Sequence, residues 1–312
     1  MSSWEYEGLF DSILQSDNQA EDMLTSFWRT EPSAIRVGTM GYRTRTIKAG
    51  DRLEAEVYPI FGREKEKRLR KEKKNRTPDR VFRNNINRAK RRLVLLMYEN
   101  FQVNDGIHLT LTYAGNNLPT YEQAKRDVKN FTRRVKRLRE KRGLPELKYI
   151  GSIGHDSDQR IHIHCAMSGG ISRDELEAIW GKGIANAMRI QDFGGGLQGL
   201  ANYLYKQNER EKMKGNRANM KAWFCSRNLK QPKEHVSDSK MSRARVKAVA
   251  FDFQNEAKVV MERVYPGYVY DSCTVFYSDV TDGVYIRCTM RKYESEGEVC
   301  SNGRRSGRTG RH

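Results

Sequence analysis

The chain has no run of the roughly 18 apolar residues that a membrane-spanning helix requires, which excludes such a helix. Its five cysteines include no C-x-x-C pair, so neither a disulfide framework nor a zinc finger is supported. The N-terminus, Met1-Ser2-Ser3-Trp4-Glu5, lacks the basic stretch and apolar core of a signal peptide, so a cytoplasmic location is expected. No internal repeat is present. Acidic residues are outnumbered: 58 Lys and Arg oppose 39 Asp and Glu over 312 residues, a formal net charge of +19. That excess points to a polyanionic partner. The length fits one elaborated domain or two small ones with a real core.

Charge is not spread evenly. Residues 1–41 form an acidic extension (Glu5, Glu7, Asp11, Asp17, Glu21, Asp22, Glu31) with aromatic anchors such as Trp4 and Trp28. Tyr42–Thr46 and Leu53–Ile60 read as strands of a hairpin around Gly50. From Arg63 to Arg92 there are fifteen basic residues against four acids, ending where Phe82, Ile86, Ala89, Leu93 and Leu96 recur at helical spacing. A second basic helix is expected over Lys125–Arg142, with Val128, Phe131, Val135 and Leu138 as its apolar stripe. Arg88, Arg91 and Arg92 on the first helix and Arg133, Arg134 and Arg137 on the second are candidate phosphate contacts.

Between these helices, Ile107 to Tyr113 alternates apolar and polar residues as a half-buried strand does. Lys148–Ile153 and Arg160–Met167 read as an antiparallel pair, and Ser172 with Glu175 as a capping box opening a helix to Trp180. A strand over Ala185–Gln191, a glycine break at Gly194-Gly195-Gly196 and a helix from Leu197 to about Arg210 follow. Residues 241–293 read as a helix over Arg245–Val264 and a hairpin of Val269–Tyr277 with Val284–Met290. Residues 294–312 read as a disordered basic tail. The order of elements is α+β.

Two features carry chemistry. His162 and His164 lie two apart on one strand, so both imidazoles leave one face about 6.5 to 7 Å apart along it, close enough to share an ion. Ile161, Ile163, Cys165 and Met167 take the opposite, buried face. On the helix from Leu197, Tyr203 and Lys206 fall within about 60° of each other, away from Leu200, Ala201 and Leu204. An exposed tyrosine with an ammonium one turn along suits attack on a phosphodiester. Taken singly, the pair of histidines is more often a chance alternation, and such a tyrosine more often caps a core.

Together these segments resemble a known family. His108-Leu-Thr-Leu-Thr-Tyr113, His162-Ile-His164 and Tyr203-Leu-Tyr-Lys206 occur in this order in rolling-circle replication initiators of the HUH endonuclease superfamily. Asn100-Phe101, Trp180-Gly-Lys-Gly183, the stretch Trp223 to Pro232 and Tyr265-Pro-Gly-Tyr268 resemble replication-associated proteins of Firmicutes plasmids, phages and integrated elements. The resemblance spans about Tyr42 to Lys292. It implies an antiparallel sheet of HUH type with flanking helices in a domain over residues 42–240, with small N- and C-terminal additions. It further implies a nicking and rejoining enzyme for single-stranded DNA at a replication origin, with a host helicase as a candidate partner and no membrane. By motif position Tyr203 is then the nucleophile, Lys206 its accessory base, and His162 and His164 ligands of Mn²⁺ or Mg²⁺.

One position departs from that pattern. Relatives place a Glu eight to ten residues before the first His, where this chain has Ser152, Ile153 and Gly154. His155, Asp156 or Asp158 could serve instead, with Asp156 slightly favoured. The departure keeps a second class of function open, a non-catalytic protein that binds single-stranded nucleic acid on the same kind of sheet. A transposase or relaxase would share every catalytic residue.

Overall fold

The structure is a computed structural model, and it describes residues 39–62, 78–101, 106–115, 119–155, 160–190, 196–213, 223–252, 254–278 and 283–293. The acidic N-terminus, the basic run 63–77, the loop 156–159 and the tail lie outside the described residues. The described chain is α+β, with two five-stranded antiparallel sheets and six helices. No described helix is long and apolar enough to cross a membrane. The described residues fall in two compact units, one built mainly of residues between 78 and 234 and the other of 39–47, 51–62 and 235–293.

The first unit holds β3 (Gly106–Thr112), β4 (Tyr149–His155), β5 (Ile161–Ser168), β6 (Ala185–Arg189) and β7 (Phe224–Cys225), in the order β6-β3-β5-β4-β7. Its helices are α1 (Pro78–Asn100), α2 (Tyr121–Lys141), α3 (Arg173–Trp180) and α4 (Gly196–Met213). Strand alternation assigns the two faces. Leu109, Leu111, Ile163, Cys165 and Met167 point to one face and pack with Val128, Phe131 and Val135 of α2 and Leu176 and Trp180 of α3. Phe131 meets Trp180 edge-on at 5.8 Å between ring centroids. Ile150 and Ala166 point to the other face, under Leu93 and Met97 of α1 and Leu197, Ala201 and Leu204 of α4.

Local chemistry sets the helix ends. Thr120 caps α2 by accepting from the Gln123 N–H, and Ser172 and Glu175 form the expected capping box of α3. Arg139 of α2 is buried and donates to the Pro145 and Gly169 carbonyls, tying the end of α2 to the sheet. The short β7 has too few residues to show a period, and was not expected from the sequence.

In the second unit, β1 (Thr39–Ala49), β2 (Arg52–Phe61), β8 (Lys233–Ser237), β9 (Tyr268–Ser278) and β10 (Gly283–Lys292) run in the order β8-β1-β2-β10-β9. The N-terminal and C-terminal hairpins, read separately in the sequence, therefore share one sheet through β2 and β10, with Val57 opposite Ile286 and Ala55 opposite Cys288. Those residues pack on α5 (Arg243–Phe251) and α6 (Glu256–Val264), including Val246, Val249 and Met261. The single helix expected over Arg245–Val264 is two. Asp252 explains the break, because its carboxylate accepts the Asn255 backbone N–H at 3.1 Å and competes with the helical ladder. The other sheet face carries ions: Glu56 accepts from Arg45 (3.3 Å) and Arg287 (2.9 Å) with its carboxylate almost fully enclosed. Removing Glu56 would take a carboxylate partner from both arginines in this enclosed site.

Candidate active site

On the face of the first sheet covered by α1 and α4, the strand register brings together side chains that are far apart in the chain. Thr110 lies opposite His164, and Thr112 opposite His162, across β3 and β5. Ser152 and Gly154 flank the same two histidines from β4. His162 and His164 do share a face, with ring centroids 4.8 Å apart.

Tyr203 reaches this cluster from α4. Residues Leu197, Ala201 and Leu204 face the core, and this rotation leaves Tyr203 42% exposed while Tyr205 is 0% exposed. The Tyr203 hydroxyl is 3.1 Å from Nε2 of His164, with the rings edge-on at 4.8 Å. Nδ1 of the same histidine is 3.1 Å from Oγ1 of Thr110. His164 is thus held at both nitrogens. His108 completes the group, stacked on His164 at 5.6 Å and edge-on to Tyr203 at 6.1 Å. Its Nε2 is enclosed and has no hydrogen-bond partner among the described residues.

Burial pushes the His164 pKa down to about 3, and the neighbouring His162 and His108 push in the same direction. His108 is lowered too, by burial. Both rings are therefore neutral near pH 7, so His164 carries one ring proton. When that proton is on Nδ1 and donated to Thr110, Nε2 offers its lone pair to the Tyr203 O–H and orients the hydroxyl.

A neutral imidazole is also the form that binds a metal, so the donor chemistry of His162 and His164 fits a divalent ion. An ion on Nε2 of His164 would take the place that the Tyr203 hydroxyl fills. The four sheet positions beside the two histidines are Thr110, Thr112, Ser152 and Gly154, and none is a carboxylate. Among the described residues, no group of three or more His, Cys, Asp and Glu is arranged to hold an ion. Asp156 and Asp158 lie outside the described residues, as do the side chains of His155 and Lys206. The helix backbone does continue through residue 206.

These side chains lie within one continuous stretch of chain. Residues 106–208 match a family model of replication-associated proteins, the ORF2 family. The matched stretch, about a third of the chain, runs from the start of β3 into α4, and contains His108, Thr110, both strand histidines and Tyr203. It supports a replication-associated protein. No curated protein and no solved structure matches the chain.

The candidate phosphate contacts divide between the two sides of this replication-associated region. Arg92 of α1 is exposed and donates to Gln231 (2.9 Å), while Arg88 and Arg91 are half-buried. Arg133, Arg134 and Arg137 are exposed on α2, which packs on the sheet face opposite to Tyr203. His108 and Thr110 had no assigned role in the sequence. Their alternation with Leu109 and Leu111 fixed their face, but only the β3–β5 register sets them against His164.

Proposed function

We propose that this chain is a rolling-circle replication initiator of the HUH type, which nicks and rejoins single-stranded origin DNA through Tyr203. The supporting observation is the half-exposed Tyr203, whose hydroxyl meets Nε2 of a buried neutral histidine while Tyr205 is wholly enclosed. In this reading the Tyr203 oxygen attacks the scissile phosphorus and forms a P–O bond. The bond to the 3′ oxygen breaks, giving a 5′-phosphotyrosine and a 3′-hydroxyl that primes synthesis. With an ion on His164 Nε2 that nitrogen is not free for the phenol, so Lys206, one turn along α4, is the candidate for its proton. Without the ion, His164 Nε2 accepts from the hydroxyl and orients it. A Mn²⁺ or Mg²⁺ ion, when held by His162 and His164, supplies positive charge to the non-bridging phosphoryl oxygens. Rejoining reverses the same bond changes with a new 3′-hydroxyl.

The deciding experiment incubates the purified protein with end-labelled origin oligonucleotides and resolves the products on a denaturing gel. Wild type and Tyr205→Phe are expected to form a covalent adduct with the 5′ product, and Tyr203→Phe none. The missing carboxylate beside the histidines favours the other reading, a binding protein without catalysis. DNA binding with no adduct from any variant would establish that reading instead.

A further inference from the structure

The outermost strand of the first sheet carries a feature that the nucleophile and histidines do not account for. Ile184, Asn186 and Met188 alternate along β6 and its leading residue, so they share a face. The register makes it the histidine face: Asn186 lies opposite Thr110 and Met188 opposite His108, and the Ile184 carbonyl accepts from the Thr112 N–H at 3.0 Å. Ile184 is 59% exposed and Met188 56%, and Asn186 is exposed between them. The intervening Ala185 and Ala187 point to the α2 and α3 side. Two positions past Met188, Ile190 is 4% exposed in the core beneath α1 and α4. The helices thus cover the sheet as far as Ile190, and the uncovered apolar strip begins where they stop, beside Tyr203.

Electrostatics select the kind of occupant. The strands β3, β5 and β6 contain no Asp or Glu, while β6 ends in exposed Arg189. The Glu177 carboxylate reaches β6 from α3, where it accepts from the Ala185 N–H at 2.9 Å, and the chain as a whole has a formal charge of +19, which favours a polyanion. From His164 to Asn186 is two inter-strand spacings, about 9 to 10 Å. A base attached next to a phosphate at Tyr203 is thus within reach of the strip. Two exposed apolar side chains flanking one amide match the face and edge of an unpaired nucleobase.

We propose that Ile184, Asn186 and Met188 form a subsite for unpaired nucleobases adjoining the scissile phosphate, with Met188 and Ile184 packing on base faces and the Asn186 amide bonding a base edge. The assignment rests on Tyr203 as the reacting residue, but its test does not depend on cleavage. Binding is measured in a Tyr203→Phe background by fluorescence anisotropy, with labelled single strands of the four homopolymers and an abasic strand of equal length. Adding Ile184→Ser and Met188→Ser should weaken binding to base-bearing strands by about tenfold or more, the scale of losing one stacked base. The abasic strand and the salt dependence should be unaffected, because phosphate contacts are kept. Asn186→Ala should narrow the differences among the four homopolymers. Thermal melting close to that of the parent shows that the variants are folded.

Equal loss on abasic and base-bearing strands would overturn the proposal. So would unchanged DNA affinity, including the case in which the double substitution instead shifts the sedimentation coefficient and marks the strip as a contact between copies of the chain. Adduct formation by the wild-type protein is scored separately, so a failed subsite and a failed nucleophile are distinguishable.

Discussion

Replacing Thr110 by Val tests the hydrogen-bonded chain at its least conspicuous member. The substitution keeps the branched shape that suits a strand but removes the oxygen 3.1 Å from Nδ1 of His164. His164 is 5% exposed, so water does not readily replace that partner. A buried polar group left unsatisfied costs about 1 to 3 kcal/mol, and the better strand propensity of Val returns a fraction of that. The expected net loss is about 1 to 2 kcal/mol, read as a lower urea midpoint at unchanged slope. Thr110→Ser keeps the oxygen and should lie much closer to wild type. If the chain also orients the nucleophile, single-turnover cleavage by Thr110→Val should fall at saturating DNA, with DNA affinity unchanged and Ser restoring the rate. Wild-type stability together with a wild-type cleavage rate in Thr110→Val would refute the reasoning.

The depressed His164 pKa predicts a pH dependence with a definite sign. The unfolded ring takes a proton below about 6.5 while the folded ring stays neutral to about 3, so stability is lost as pH falls through that window. The slope approaches about 1.4 kcal/mol per pH unit, and the difference between wild-type and His164→Gln unfolding curves isolates it. In β4, Gly151→Ala should destabilise sharply in a thermal melt, because the added Cβ would sit 2.7 Å from the His164 carbonyl oxygen and 2.6 Å from the Phe224 ring. The triple substitution Arg133→Ala, Arg134→Ala, Arg137→Ala should reduce the log–log salt slope of single-strand binding by up to about 2, if each residue meets one phosphate. Since α2 packs on the sheet face away from Tyr203, adduct formation at saturating DNA should be unchanged.

Much of the first unit was legible because its signals are local. The alternation at Ile107–Leu111, the heptad-like stripe from Val128 to Val135 and the pairing of Ser172 with Glu175 each depend on neighbours within a turn or a strand, and β3, α2 and α3 follow them. The exposure of Tyr203 was likewise implied by helical spacing, whereas the burial of Tyr205 was not read from it. The break at Asp252 was missed because a side chain that competes with the ladder leaves no mark on apolar periodicity.

What only the tertiary structure decided is pairing between distant segments. Sequence placed His108 and Thr110 on a face of β3, but a shift of register by one residue would send them away from His164, and no local rule chooses the register. The union of the N-terminal and C-terminal hairpins in one sheet, β2 against β10, is a contact across more than 200 residues and equally beyond local patterning. The same holds for the extent of helical cover over the sheet, which buries Ile190 and leaves Met188 open two residues earlier on one strand face. Side-chain periodicity is written residue by residue and fixes which way each group points. Which groups meet depends on long-range burial and backbone pairing, and those are satisfied only by the folded chain as a whole.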